Sequence, residues 1–423
     1  MTSPVLANTM NNDLELYIHI PFCVRKCNYC DFLSSPQTEE VKEAYVCALI
    51  NEIHAAGRDY GDRHIKSIFI GGGTPSILSP EQMIRITDAL KESFDLNGLK
   101  GKHRTFFRKK AVEPEIEFTV ECNPGTLDRE KLKAYKKAGV NRLSIGLQSA
   151  NDAELKELGR IHTVRDFLET YEEARMAGFE NINIDLMQAI PLQTIGSWKK
   201  TLMAAAALKP EHISAYSLII EEGTPFYDRM KSDLPLAIPD EDTEREIYYV
   251  TKEILEQFGY KRYEISNYAL PGRECRHNCG YWKRTDYLGL GLGSSSMICN
   301  VRWKNISELD KYIGLFAGKR EHLPEEARCE AEKLSHKDQM AEYMFLGLRM
   351  TEGISKEAFI DTFGVDYDFT YGEVTQKFID MGLMQVIVNA KEDEKSYKDI
   401  VDTRVSLTDK GVDVSNQVFA EFL

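Results

Sequence analysis

Six short strand-like runs alternate with helical patterns over the first half of this chain, and few folds accept such an alternation. The first run has apolar residues at every second position, which is the period of a strand. Strands that alternate with helices build parallel sheets in which the helices are the connections. The sequence therefore predicts an α/β fold with strands at 14–20, 65–70, 116–122, 141–149, 181–190 and 212–220.

The length of the chain predicts more than one domain. A single (β/α) barrel runs to roughly 250 residues, so a chain of 423 residues has room for a smaller appended domain. Its last part reads as helices, a strand pair at 384–388 and 403–407, and a closing helix at 409–423, an order typical of a winged-helix-like, mixed α+β module. We predict a core at 1–225, a continuation and connecting region at 226–335, and the C-terminal module at 336–423.

The charge of the chain argues against a nucleic-acid partner. The formal net charge is −14, and from Ala331 to Leu423 acidic residues outnumber basic ones by 18 to 10. A protein that holds phosphates needs a basic face. We therefore expect no nucleic acid even at the winged-helix-like module, where a protein-docking or covering role is favoured.

The sequence favours a cytoplasmic location. No apolar run approaches the roughly 20 residues of a membrane helix, and the first 13 residues contain neither a basic leader nor an apolar signal core. In the reducing cytoplasm, an odd count of nine cysteines argues against a disulfide framework. The cysteines are therefore expected either to bind metal or to be buried.

Three of the cysteines, Cys23, Cys27 and Cys30, follow the first predicted strand directly. A structural zinc site needs four ligands, whereas an iron–sulfur cubane held by three thiolates leaves one iron without a protein ligand. Zinc completed by His19 or Cys47 is the alternative, but Cys47 lies in the following helical stretch and His19 on the preceding strand. The loop therefore favours a cluster with one open iron.

Further loops at the ends of predicted strands carry glycines and polar groups. They are GGGTPS at 71–76, ECNPG at 121–125 and GLQS at 146–149. Strand carboxyl ends are where α/β folds keep their sites. The glycines let a ligand approach the backbone closely, and Glu121 offers an acceptor for an ammonium or a ribose hydroxyl. Ordinary loop capping is the alternative for each polar residue.

Together these motifs resemble the radical S-adenosylmethionine (SAM) superfamily, and over most of the chain they are most similar to its oxygen-independent coproporphyrinogen oxidase group. Within that group they look most like the HemW branch, whose members are regarded as haem chaperones. The resemblance rests on LYIHIPFCVRKCNYCDF, GGGTPS, ECNPGTL, GVNRLSIGLQS, LGRIHT, NIDLM, YEISNYALPGRECRHNCGYW and RVSLTDKG.

The resemblance implies a partial (β/α)6 barrel that carries a [4Fe-4S] cluster and SAM. It also implies binding of haem and its transfer to acceptor proteins, with a low-potential electron donor such as flavodoxin or ferredoxin. The alternative is oxidative decarboxylation of coproporphyrinogen III, which leaves enzyme or chaperone open. Two departures favour the chaperone branch: Phe32 stands where the dehydrogenases carry a fourth cysteine, and only 13 residues precede the first strand.

Residue by residue, the resemblance assigns three groups of positions. The cluster ligands are Cys23, Cys27 and Cys30. The contacts of the SAM on the cluster are Tyr17, Gly72, Gly73, Thr74 and Glu121. The positions near a second SAM are Gln148, Arg160 and Asp185.

The segment 275–282, CRHNCGYW, is the candidate haem site. His277, Cys275 or Cys279 could ligate the iron, and the rings of Tyr281 and Trp282 could flank a porphyrin. Packing of an aromatic loop against the barrel is the alternative. A nearby glycine-rich stretch, GLGLGSSS at 289–296, has no assigned role, and the other cysteines are expected to be small buried hydrophobes: Cys47, Cys122, Cys299 and Cys329.

Overall fold

The structure, a computed structural model, describes residues 12–99, 114–232, 236–392 and 399–423. Most of the N-terminal stretch behind the prediction of location therefore lies outside the described residues. Six parallel strands lie side by side in chain order, as the alternation predicts. They are β1 (Asp13–Ile20), β2 (His64–Gly72), β3 (Glu117–Cys122), β4 (Arg142–Gln148), β5 (Ile182–Gln188) and β6 (His212–Ser217).

Helices connect these strands and cover the outside of the sheet. Their starts follow from capping residues; Ser79 and Gln82, for example, form a reciprocal capping box with Pro80 in the first turn. Apolar residues of strands and helices form one continuous core. The connecting helices are α1 (Glu39–Tyr60), α2 (Pro80–Ser93), α3 (Arg129–Ala138), α4 (Asp152–Glu157), α5 (Val164–Met176) and α6 (Ile195–Ala207), with short 3-10 turns at 75–77 and 97–99.

The chain after the sixth strand extends the same sheet at both ends to twelve strands. Beyond β6 lie two short antiparallel strands, and beyond β1 a parallel strand is followed by three antiparallel ones. The result is a partial (β/α)6 barrel with a widened sheet. The added elements are α7 (Pro225–Met230), α8 (Glu241–Gln257), β7 (Lys261–Arg262), β8 (Asn267–Ala269), α9 (Arg276–Trp282), β9 (Tyr287–Leu290), β10 (Ser295–Ile298), β11 (Val301–Asn305), α10 (Leu309–Leu315), a 3-10 turn at 325–327 and β12 (Arg328–Lys333).

The C-terminal part has a separate core and a three-stranded antiparallel sheet, and it is winged-helix-like in its mixture of helices and a strand pair. The predicted closing helix at 409–423 is wrong in one respect, because the chain leaves helical geometry at Val414 (φ −113°) and forms two short helices instead. The elements are α11 (His336–Gly347), β13 (Ile354–Ser355), α12 (Lys356–Phe363), α13 (Tyr367–Asp380), β14 (Met384–Glu392), β15 (Asp399–Leu407), α14 (Asp409–Asp413) and α15 (Ser415–Ala420).

The expectation of burial for the remaining cysteines is confirmed for Cys122 and wrong for the other three. Cys47 lies on the outer face of α1, where its thiol contacts Glu43 and Arg85. Cys299 lies in the turn between β10 and β11, and Cys329 lies on the edge strand β12. A turn and a sheet edge leave small side chains in solvent whatever their hydrophobicity.

Across the four described ranges, no helix is both long and apolar enough to cross a membrane.

Candidate functional site

The cysteine loop after β1 is held in place by backbone contacts at both ends. On one side Asn28 N donates to Leu158 O at 3.0 Å and Arg25 Nη2 donates to Gly159 O at 2.7 Å. On the other side Cys23 N donates to Ser35 O at 3.3 Å. These contacts leave the three cysteines of the loop in the wall of one cavity of about 390 Å³ at the carboxyl end of the sheet. We call it the cluster cavity.

Burial affects the protonation of two of the three thiols. Among the described residues, no three His, Cys, Asp or Glu side chains converge to hold one metal ion. Burial raises the pKa of Cys23 and of Cys30, so their thiolates need a positive partner such as cluster iron.

In the structure, neither of the two candidates for the fourth zinc ligand is available. The ring of His19 is engaged at both nitrogens, with Leu33 O at 2.9 Å and with the Tyr17 hydroxyl at 3.0 Å. Cys47 is exposed and contacts Glu43. Neither side chain lines the cluster cavity.

The glycine loop after β2 forms a second wall of the cluster cavity, pressed against the cysteine loop. A Cβ on Gly73 would lie 2.5 Å from Phe22 O, and one on Gly72 would lie 2.5 Å from the His19 ring. Gly72 also has φ +111°, a conformation that favours glycine. The loop can therefore bring its backbone to a ligand only because it has no side chains at these positions.

Glu121, at the end of β3, supplies a half-buried carboxyl group to the cluster cavity. Its Oε2 accepts a hydrogen bond from Gly72 N at 3.1 Å. Burial, and next the charge of Asp185, raise the pKa of Glu121 to about 8. A carboxyl with this pKa is ready to lose its proton when a cationic ligand such as an ammonium arrives beside it.

A chain of polar contacts joins the ends of β3 and β4 to the cysteine loop. Arg160 Nη2 donates to Asn123 Oδ1 at 2.6 Å and to Gly146 O at 3.2 Å, while its Nη1 lies 3.9 Å from Cys27 Sγ. Asn123 Nδ2 in turn donates to Thr74 Oγ1 at 2.7 Å. A buried guanidinium is thus fixed beside one of the three thiols.

The two other polar residues expected here are also oriented by neighbours. Gln148 has φ +67°, and its Oε1 accepts a hydrogen bond from the Tyr216 hydroxyl at 3.1 Å. Asp185 accepts from Ser144 Oγ at 2.9 Å and from Asn183 Nδ2 at 2.7 Å. Both side chains lie in the same cavity wall as the cysteines.

The structure brings together all but one of the predicted cluster and SAM residues. Tyr17 is the exception, because it does not line the cluster cavity. It lines two other cavities, each of which shares Glu121 with the cluster cavity. Asn123 was not predicted from the sequence, although it lies in the loop directly after β3, where site residues are expected. The cluster cavity is lined by Cys23, Cys27, Cys30, Gly72, Gly73, Thr74, Glu121, Gln148, Arg160 and Asp185.

The segment 275–282 forms the end of a loop and the short helix α9, and none of its residues lines the cluster cavity. His277 is 1% exposed and stacks on Phe69. Its Nδ1 lies 2.7 Å from Ser67 Oγ and its Nε2 lies 3.0 Å from the Tyr281 hydroxyl. Burial, and next the charge of Arg142, lower the pKa of His277 to about 3.

These contacts, and those of the two cysteines, limit which side chains of the segment could ligate haem iron. An iron atom on the ring of His277 would have to displace either Ser67 or Tyr281. Cys275 is fully buried and its Sγ lies 3.5 Å from Glu117 Oε1, while Cys279 packs in a small apolar cluster. His277 lines an inner cavity of about 340 Å³, and neither cysteine lines that cavity or the cluster cavity.

Comparison with known protein families gives two matches along the chain. The Radical SAM superfamily model matches residues 17–205, and the HemN C-terminal domain model matches residues 334–387. The first match contains the cysteine, glycine and Glu121 loops. The second lies within the C-terminal part.

Curated relatives match over nearly the full length. "Heme chaperone HemW" of Lactococcus lactis is 37% identical over 407 residues, which is 96% of each chain. "Heme chaperone HemW" of Bacillus subtilis is also 37% identical and covers 96% of this chain and 98% of its own. Among solved structures, coproporphyrinogen III oxidase (HemN) from Escherichia coli superposes with a TM-score of 0.77 at 23% identity, covering 97% of this chain and 89% of that chain.

Proposed function

This chain belongs to the HemW family of haem chaperones within the radical SAM superfamily, and on that basis we propose that it binds haem and transfers it to acceptor proteins. The observation that carries the proposal is the near-complete coverage of two curated haem chaperones at 37% identity. The likeness to coproporphyrinogen III oxidase is at 23% identity and concerns the fold.

We propose a [4Fe-4S] cluster as a resident cofactor, held by the three thiols of the cysteine loop. Cys23, Cys27 and Cys30 would supply three ligands and leave one iron open for SAM. When bound, such a cluster would supply one electron at a time for the cleavage of SAM. The backbone of Gly72 and Gly73 would approach the amino-acid end of SAM, and Glu121 would accept from its ammonium group.

Three polar side chains in the wall of the cluster cavity are proposed to lie near a second SAM. Gln148, Arg160 and Asp185 each have their position fixed by a neighbour, so they present a preformed polar surface. Thr74 and Tyr17 complete the proposed contacts of the first SAM, the one on the cluster, with Tyr17 reaching from the adjoining cavities beside Glu121.

The surface of the cysteine loop supports an electron donor as a partner. Arg25 and Lys26 are exposed next to Cys27 on a chain of formal net charge −14. This local positive patch is complementary to an acidic, low-potential donor such as flavodoxin or ferredoxin. We propose a cytoplasmic location, since an odd count of nine cysteines argues against a disulfide framework and fits a reducing compartment.

Haem binding and haem transfer can be tested separately on the anaerobically reconstituted protein. Titration with haem should give a saturable Soret band. The haem-loaded protein is then mixed with increasing apomyoglobin, and the rate of transfer is followed by the change of that band. A chaperone that hands haem over directly should show a rate that rises with acceptor concentration. A rate independent of acceptor concentration would mean release into solution and would contradict the proposal.

A further inference from the structure

A second cavity of about 520 Å³ adjoins the cluster cavity and shares Phe32, Gly72 and Glu121 with it. Its size lies within the range of small-molecule and cofactor sites. The remaining wall is rich in apolar and aromatic groups, and Leu346 of α11 closes one side. We call it the aromatic chamber, after the rings of Tyr17, Phe32, Tyr281, Trp282 and Tyr287.

We propose that the aromatic chamber is the haem site, with the Met297 thioether as iron ligand and Arg302 as the partner of a haem propionate. The inference rests on the proposed function, since it names where the cargo of a haem chaperone binds. Haem is flat, apolar on both faces and anionic at one edge. A cavity lined by rings, with one guanidinium in its wall, matches that chemistry.

Met297 emerges as the ligand because the other iron-binding groups of the chamber wall are engaged. The two nitrogens of His19 face Leu33 O and the Tyr17 hydroxyl. The Tyr281 hydroxyl is bound to His277 Nε2 at 3.0 Å. Glu121 accepts from Gly72 N within the cluster cavity.

Tyrosinate ligation is further disfavoured by electrostatics. Burial raises the pKa of Tyr17, of Tyr281 and of Tyr287, and an iron–tyrosine bond requires the deprotonated oxygen. A thioether needs no deprotonation and is a known axial ligand of haem iron. Met297 is 3% exposed and lines the chamber, so its sulfur is shielded from water. A single thioether bond is also weak enough for release of the cargo.

The charge balance around Arg302 leaves room for a carboxylate. Glu342 of α11 is the only carboxylate paired with Arg302 among the described residues, and it also pairs with Arg284. The distances are 2.6 Å to Arg302 Nη2 and 3.2 Å to Arg284 Nε. Glu342 is thus shared by two guanidiniums, of which Arg284 also lies near Asp286, so Arg302 does not have a carboxylate to itself. Arg302 has a side chain 40% exposed, so a propionate held there would lie at the mouth of the chamber.

The proposal gives a role to the glycine-rich stretch 289–296. Gly293, Ser294 and Ser295 lie in the chamber wall directly before Met297. Gly293 has φ +63°, and a Cβ there would lie 2.5 Å from Leu33 Cδ2. Small residues on this wall leave the face of the cavity flat, as a porphyrin plane requires.

The test compares haem with haem dimethyl ester, which has no free propionates, in the reconstituted full-length protein. For Arg302→Gln we expect about tenfold weaker binding of haem, the usual effect of losing one hydrogen bond to a charged group, and unchanged binding of the ester. Lys304→Gln on the same strand is the matched control, because Lys304 pairs with Glu330 and does not line the chamber. Equal loss for haem and ester, or no loss for either, would overturn the assignment of Arg302.

The iron ligand is read from the spectrum. Met297→Leu keeps the side-chain volume and should abolish the sulfur-to-iron charge-transfer band while the cluster absorbance remains. Met344→Leu, in the core of the C-terminal part, is the control. An unchanged haem spectrum in Met297→Leu with a lost Soret band in His277→Ala would place the haem in the inner cavity that His277 lines instead. Failure of the unaltered protein to bind haem would reject the proposed function itself, and with it this site.

Discussion

At the scale of single residues, the proposed cluster depends on each of the three thiols of the cysteine loop. Cys27 lies between the other two in the loop and beside Arg160. Cys27→Ala leaves two thiols, too few to retain a cubane, so we expect iron and sulfide to fall to near background after anaerobic reconstitution. Cys47→Ala is the control, because Cys47 is exposed and outside the cavity. A full cluster in Cys27→Ala would reject the assignment.

The raised pKa of Glu121 predicts a pH dependence of stability. The pKa is about 8 in the folded protein against 4.5 for an ordinary glutamate, so the folded state binds this proton more tightly than the unfolded chain does. The contribution of Glu121 to the free energy of unfolding is therefore full at low pH and is lost as the pH rises from about 4.5 to about 8.

Urea denaturation of the SAM-free protein measures this contribution. Between about pH 5 and about pH 8 the unaltered protein should lose on the order of a few kcal/mol more stability than Glu121→Gln, which has no proton to lose. Glu130→Gln, at an exposed position of α3, should keep the slope of the unaltered protein. The same slope in all three proteins would mean that Glu121 titrates normally.

The residues that could be predicted from the sequence are those at strand ends. Because parallel strands end at one edge of the sheet, residues as distant in sequence as Cys23 and Asp185 were expected near each other, and they line one cavity. The environment of His277 could not be foreseen. It depends on Ser67 and Phe69 of β2, which lie about 210 positions earlier in the chain, and no local pattern in 275–282 indicates them.

At the scale of elements, the loops after β1 and β2 act as a pair, and Gly73 is where they touch. A Cβ at Gly73 would lie 2.5 Å from Phe22 O and 2.9 Å from Ser34 Cβ, both on the arms of the cysteine loop. Gly73→Ala should therefore push the loops apart at a cost of about 1–3 kcal/mol. We expect weaker SAM binding by calorimetry and a more easily lost cluster.

The control for this variant is Gly314→Ala in α10, where an added Cβ meets nothing within 4 Å. Alanine favours a helix over glycine, so Gly314→Ala should be neutral or slightly stabilising. If both variants bind SAM and retain the cluster equally well, the close approach of the two loops has no bearing on the site.

The elements also show where sequence patterns stop being informative. The strands β9 and β10 lie in the glycine-rich stretch, whose composition is poor in the residues that strands prefer. Glycine is required at position 289 because a Cβ there would lie 2.2 Å from Ser295 O. The fold brings these two backbone segments close together, and only glycine leaves room for the contact. The pairing of β9 with β1 depends on the tertiary structure. The six alternating strands, in contrast, could be predicted from the sequence because each has its own apolar run.

At the scale of the whole molecule, the C-terminal part is joined to the barrel by charged contacts. Asp409 of α14 pairs with Lys252 at 2.7 Å and with Arg262 at 2.6 Å. The side chain of Arg262 is 6% exposed, whereas that of Asp409 is 54% exposed, so this pair lies at the edge of the junction, with its carboxylate open to water. Thr351 N also donates to Tyr263 O at 2.9 Å. The C-terminal part thereby holds Leu346 and Glu342 at the aromatic chamber.

Asp409→Asn should loosen this junction by about 1 kcal/mol, since it leaves Arg262 without its carboxylate but solvent already screens the half-exposed Asp409. The expected result is faster hydrogen exchange of the Thr351 amide, with unchanged exchange in the barrel strands. Asp88→Asn is the control, because Asp88 is 55% exposed and its ion pair with Lys91 lies within α2, away from the junction. Equal exchange at Thr351 in both variants would show that the apolar contacts suffice to hold the junction.

The last prediction concerns the reaction that this fold performs in its solved neighbour. Coproporphyrinogen III carries twice as many propionates as haem, and the aromatic chamber has a single cationic side chain, Arg302, in its described wall. Phe32, 60% exposed, stands between the two cavities where the dehydrogenase pattern has a cysteine. A chamber built this way lacks the positive charge to hold a tetracarboxylate substrate in place.

We therefore expect no decarboxylation of coproporphyrinogen III in an anaerobic assay with SAM and a reductant. The measurement is vinyl-bearing product by chromatography, with E. coli HemN as the positive control under the same conditions. Cleavage of SAM without porphyrin product is compatible with the expectation, because it needs only the open iron and an electron. Vinyl product that accumulates over many turnovers would show that Arg302 and the cations of the cluster cavity suffice for the substrate, and the chain would then be an enzyme of porphyrin synthesis.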